Sequence, residues 1–125
     1  MRVLLVTHGN LGESLLHSAA RIYGQAVGVD FLSNDPHDAT GLAGAIEEWL
    51  GPDDTDAMIL VDVGGGSCGT AARLAADGRQ HTWILGGVNL PMVLTCTAPV
   101  LSQRALESPA RCSRSAPASL TLINS

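Results

Sequence analysis

Val3-Leu4-Leu5-Val6 runs without alternation into Thr7-His8-Gly9-Asn10, and the chain resumes at Leu11 with helical spacing. Four consecutive aliphatic residues predict a strand covered on both faces, as in a parallel sheet. In an open α/β sheet, the carboxyl edge of such a strand is where ligands and chemistry collect. His8 stands at that edge as a candidate reacting group. On this segment alone, a residue that merely closes the turn is an equally good reading.

Outward from that strand, strand and helix signals alternate. Leu11, Leu15, Leu16, Ala19 and Ile22 form one helical face that ends near Gly24. Val27 to Leu32 reads as a second strand. Asp38 is placed to cap a helix whose Leu42, Ala43, Ile46 and Leu50 face inward, and Gly51-Pro52 stops it. Ala-Met-Ile-Leu-Val within Asp56 to Asp62 predicts a third buried strand. A helix from Ser67 to about Ala76 follows, then a short strand Thr82-Trp83-Ile84-Leu85. Asn89-Leu90-Pro91 reads as a cap with proline in the first turn of a last helix, which must stop near Pro99. The order predicts an α/β fold: an open, mostly parallel four-stranded sheet with helices on both faces. Residues 101–118 are rich in Ser, Ala, Pro and Arg, and Ser119 to Ile123 alternates as a final antiparallel edge strand.

The chain of 125 residues has room for one domain and one core, and 46% hydrophobic against 15% charged residues makes it globular. Aromatics are scarce at 3%, which disfavours a stacking platform for nucleic acid. Net charge is −5, and nine acids with no Lys or Arg lie between Asp30 and Asp62, so no nucleic-acid partner is expected. Such a run is ordinarily a solvated face, although it can steer a basic protein. Cys68, Cys96 and Cys112 lie far apart with no Cys-x-x-Cys pair. That spacing argues against a disulfide framework or a zinc site and fits a reducing cytoplasm. No apolar run approaches membrane-spanning length, and Met1-Arg2 leads directly into a strand.

Asp62-Val63-Gly64-Gly65-Gly66-Ser67-Cys68-Gly69 joins the third strand to its helix. Consecutive amides opening onto a helix N-terminus can hold an anion such as phosphate; a tight turn without a ligand is the plainer reading. Gly64-x-Gly66-x-x-Gly69 fits the dinucleotide fingerprint, but the acid needed about 20 residues further on is missing. Gly65-x-Ser67-x-Gly69 fits a nucleophile elbow. After Ser67, however, the chain offers only His81, with Asp77 four residues before it, and this cannot span a triad.

Three βα junctions together resemble the mannose/fructose-type IIA components of the bacterial phosphotransferase system. They are Thr7-His8-Gly9-Asn10-Leu11-Gly12-Glu13-Ser14, Asp62-Val63-Gly64-Gly65-Gly66-Ser67 and Gly87-Val88-Asn89-Leu90-Pro91-Met92. The similarity is strong over residues 1–98 of a single domain 1–125, and the tail 99–125 diverges. The resemblance implies a cytoplasmic phosphohistidine carrier in which His8 accepts a phosphoryl group from HPr and passes it to a IIB component for sugar uptake. It implies that Asp62 orients the imidazole and that Ser67 contacts the phosphoryl group. It further implies a homodimer that meets the membrane only through a transporter complex.

Chemically, a carboxylate on one ring nitrogen sets the tautomer and stabilises the charge that forms when the other nitrogen attacks phosphorus. Gly65, Gly66 and Ser67 are the expected phosphate-binding residues, and the relay needs no cofactor and no metal. The alternative function is a regulatory IIA-like module that senses phosphorylation state without feeding a transporter. Gly64 stands where the family carries a bulkier residue, and Cys68-Gly69-Thr70 replaces Pro-x-Asn. His17, His37 and His81 have no carboxylate company in these motifs and read as surface or packing residues.

Overall fold

The computed structural model of the protein describes residues 2–24, 28–35, 38–97 and 122–124. Strands β1 (Arg2–Thr7), β2 (Asp30–Ser33), β3 (Ala57–Val61) and β4 (Thr82–Leu85) are parallel. They alternate with helices α1 (Leu11–Tyr23), α2 (Ala39–Leu50), α3 (Ser67–Ala75) and α4 (Leu90–Thr97). Their order across the sheet is β2-β1-β3-β4, and β5 (Leu122–Asn124) pairs antiparallel with β4. Ser119 to Thr121 of the expected edge strand lie outside the described residues.

The absence of alternation in β1 and β3 has the expected cause. Leu4, Val6, Ile59, Val61 and Ile84 pack with Leu42, Ile46, Leu50, Ala71 and Ala72 on one face. Val3, Leu5, Met58, Leu60 and Leu85 pack with Ala19, Met92 and Val93 on the other. The chain first steps outward from β1 to β2, then reverses to β3 and β4. Crossovers of constant hand therefore put α1 on one face and α2 and α3 on the opposite one.

The helix stops and starts follow local chemistry. Asp38 Oδ1 accepts from Gly41 N at 2.7 Å at the start of α2, and Gly51 ends it with φ +77°. Asn89 Oδ1 accepts from Met92 N at 2.8 Å at the start of α4.

Three expectations need correction. Leu11 is 43% and Ile22 58% exposed, so only the middle of the predicted α1 stripe is covered. The covered part, Leu15, Leu16 and Ala19, joins the core formed with β1, β3, β4 and α4 on that face of the sheet. The second strand starts at Asp30, past Gly28 and Val29, because its pairing with β1 begins at Leu4↔Asp30, and Val27 lies outside the described residues. Cys96 is disulfide-bonded, its partner lying outside the described residues. Spacing along the chain cannot report which distant cysteines the fold brings together.

Candidate functional site

The reversal of strand order lies between β1 and β3, which is where an open α/β sheet opens a crevice at its carboxyl edge. Val6 is level with Val61, so His8 and Asp62 emerge side by side from neighbouring strands. The turn that carries His8 is tied on all sides. Thr7 Oγ1 accepts from Gly12 N at 2.8 Å, and Asn34 N donates to Thr7 O at 3.0 Å. Gly9, at φ +54°, donates its N–H to Asn34 Oδ1 at 3.2 Å. Only glycine adopts that backbone freely, and it lets the chain leave β1 and enter α1 within three residues.

Asp62 Oδ2 lies 2.6 Å from His8 Nδ1 and accepts from His8 N at 2.9 Å, while Asp62 Oδ1 accepts from Val63 N at 2.8 Å. The Asp62 side chain is only 9% exposed, and the His8 ring is 52% exposed. Burial pushes the Asp62 carboxyl up, but the His8 ring bond and the two backbone N–H bonds outweigh it. The group is held below the usual carboxylate range. A carboxylate only accepts, so Nδ1 carries the proton of a neutral ring and Nε2 carries the lone pair. Ser67 Oγ lies 3.1 Å from Nε2 and donates to it.

Behind the ring, at the start of α3, Cys68 is fully buried with Sγ 3.8 Å from His8 Nδ1. Burial first, and the nearby Asp62 charge second, push its thiol up to about 12.

In the glycine loop, Gly66 N donates to Val63 O at 3.0 Å and closes a β-turn. The Gly66 amide is thus engaged within the loop in this structure. Among the described residues no protein acceptor meets the N–H of Gly65 or Ser67, and a Cβ at Gly65 would meet open space. The loop is braced from below: Gly87 N donates to Asp62 O at 3.1 Å and Val88 N to Val61 O at 3.0 Å. The Gly87–Met92 segment therefore helps to hold the loop in place.

A model of the family described as PTS system fructose IIA component matches residues 2–111. The chain belongs to that family. Solved structures of PTS components share its fold. The mannose/sorbose specific IIA subunit from Enterococcus faecalis superposes with a TM-score of 0.77 at 22% identity, covering 99% of this chain and 95% of that one. The phosphotransferase system component EIIA from Streptococcus agalactiae gives 0.76 at 18% identity, covering 91% and 90%. A sigma-54 interaction domain protein from Enterococcus faecalis gives 0.61 at 15%, covering 91% and 93%. No curated protein matches by sequence.

As a PTS IIA component the chain has a phosphotransferase role in general, with partners in the phosphotransfer chain. Among its described residues no helix is long and apolar enough to cross a membrane. The fold brings together His8, Asp62 and Ser67. His17 is exposed on α1, and His37 lies outside the described residues. His81 does have a carboxylate neighbour, since its Nδ1 lies 3.3 Å from Asp56 Oδ1 at the opposite edge of the sheet. Sequence reasoning missed Thr7 and Asn34 as supports of the His8 turn. Their position at the ends of β1 and β2, at the same edge as His8, was the available signal.

Proposed function

We propose that the protein is a phosphohistidine carrier of the sugar phosphotransferase system, with Nε2 of His8 as the acceptor atom. The observation that carries this reading is the two-sided arrangement of the ring. Nδ1 is held by the Asp62 carboxylate, and Nε2 is presented to Ser67 and solvent.

In the forward step the Nε2 lone pair attacks the phosphorus of phospho-HPr. The N–P bond at His8 forms as the bond to HPr breaks, and HPr leaves. Positive charge on the ring is stabilised by Asp62 across the 2.6 Å contact. The Ser67 hydroxyl turns from Nε2 to a phosphoryl oxygen, and the amides of Gly65 and Ser67 donate to the same group at the α3 N-terminus. The phosphoryl group is then handed to a IIB component. The transfer is chiefly a matter of positioning and charge. A homodimer in a cytoplasmic setting, peripheral to the membrane through its transporter, completes this reading.

The regulatory alternative draws on the fold shared with a protein titled as a sigma-54 interaction domain. Labelled phosphoenolpyruvate with enzyme I and HPr tests the acceptor. Wild type takes label and His8→Ala does not; an unlabelled wild type, or equal labelling of the variant, overturns the assignment. Onward passage of label to a IIB component separates transport from regulation.

A further inference from the structure

The His8 site has one component that the relay does not use, the buried Cys68 thiol. We propose that His8, Asp62 and Cys68 form a binding site for a borderline-soft divalent cation of the Zn2+ type, and that the bound ion silences His8 as a phosphoryl acceptor. The second half rests on the reading of His8 given above; the first half does not.

One nitrogen, one oxygen and one sulfur donor lie within 4.8 Å of one another. That mixed set suits Zn2+, whereas Mg2+ and Ca2+ take oxygen. Bonds of about 2.0–2.3 Å in a tetrahedral site place ligand atoms roughly 3.3–3.7 Å apart. The 3.8 Å from Cys68 Sγ to His8 Nδ1 is only slightly longer than that spacing. The 2.6 Å from Nδ1 to Asp62 Oδ2 must open by under about 1 Å to reach it. The half-exposed ring, turning about its own side-chain bonds on a tied backbone, is the member that can move, while Asp62 and Cys68 are fixed by burial. Three protein ligands leave a fourth position toward solvent.

The chemistry follows from which ring nitrogen the ion takes. Zn2+ displaces the Nδ1 proton, which moves through solvent to Nε2, and the thiol proton of Cys68 is released. The balance is one ion bound for one proton lost, with the ring still neutral. Nε2 is then an N–H without a lone pair and cannot attack phosphorus. Conversely, a phosphoryl group on Nε2 keeps the proton on Nδ1 against Asp62 and excludes the ion. Metal and phosphoryl group therefore compete for one imidazole from opposite sides. The cysteine spacing carries no local metal motif; the fold assembles one by bringing the β1–α1 turn, with His8, against the β3–α3 junction, with Asp62 and Cys68.

The test uses the full chain and two readouts. Co2+ added to the protein should give a thiolate-to-cobalt charge-transfer band at one equivalent, abolished by Zn2+ and absent from both Cys68→Ser and Cys68→Ala. A band that survives in either variant, or no band in wild type, overturns the site. Phospho-HPr prepared separately and freed of enzyme I supplies the second readout, with each protein compared with its own rate in EDTA. Zn2+ should slow labelling of wild type about tenfold or more and of Cys68→Ala less than about twofold. Equal slowing of both overturns the silencing. A wild type that takes no label in EDTA refutes the phosphoryl relay and the silencing with it, while the cobalt spectrum still decides the site.

Discussion

Asp62 receives three donors on two oxygens, and each does separate work. The backbone N–H groups of His8 and Val63 hold the carboxylate in place, and the third contact holds the imidazole tautomer. Asp62→Asn can present its amide to Nδ1, which drives the ring proton onto Nε2. Phosphoryl acceptance from phospho-HPr should then fall by about a hundredfold or more, with little change in binding of HPr. A labelling rate within a few fold of wild type would remove Asp62 from the mechanism. The depressed carboxyl also predicts the sign of an acid effect. A folded-state value below the ordinary 3.8 contributes stability that is fully present above 3.8 and is lost as pH falls through the lower value. The part of the stability difference between wild type and Asp62→Asn that comes from the carboxyl's own titration should therefore be lost only below the ordinary carboxylate range. Denaturant melts at a series of pH values measure it; a gap that closes by pH 5 would contradict it.

The loop from β3 to α3 is built from glycines that play unlike parts. A Cβ at Gly69 would run into the Gly64 backbone, and one at Gly86 would lie 2.7 Å from Gly64 Cα. Gly64 is thus wedged between two other glycines, which is the physical context of the small residue there. Gly65 faces open space. Gly69→Ala should cost roughly 1–3 kcal/mol and lower phosphoryl acceptance by shifting the loop. Gly65→Ala should change stability by no more than about 0.5 kcal/mol. Thermal melts of the two variants check the contrast, and equal effects would refute it.

At this scale the elements were largely legible, because unbroken aliphatic runs and capping residues such as Asp38 and Asn89 are local signals. The commitment of the Gly66 amide to Val63 was not legible, since glycine spacing does not say which N–H points where. Nor was the approach of Cys68 to His8, which requires β1 and β3 to be neighbours. The pairing of His8 with Asp62 was inferred from a resemblance between motifs. Its physical basis is the strand order, which composition and periodicity alone do not specify.

Across the whole molecule, the two edges of the sheet divide the labour. The carboxyl edge carries His8, Asp62 and Ser67, and the opposite edge carries a clasp that composition hides because arginines are few. Arg2 at the start of β1 lies over the Trp49 ring at 4.1 Å from its centroid, donates to Leu50 O at 3.2 Å and also bonds the Trp49 carbonyl. Trp49 Nε1 donates to Asp30 Oδ2 at 2.7 Å, and Arg79 donates to Asp53 O at 3.1 Å and to Gly51 O. Guanidinium groups thereby satisfy the carbonyls at and just beyond the end of α2, where a cation also complements the helix dipole. Most of the acidic run lies at this end too, in Asp30, Glu47, Glu48, Asp53, Asp54 and Asp56, at or near the starts of β2 and β3 and the end of α2. It therefore does not surround the His8 site. Stability and chemistry should separate accordingly. Arg2→Ala removes a cation–π contact and two charge-assisted bonds, for a loss of about 1–2 kcal/mol and a drop in melting temperature of roughly 3–8 °C. Labelling of His8 at 25 °C should stay within about twofold of wild type, because the clasp lies a strand's length of about 20 Å from the ring. A variant that melts as wild type but labels poorly would reverse that assignment of edges.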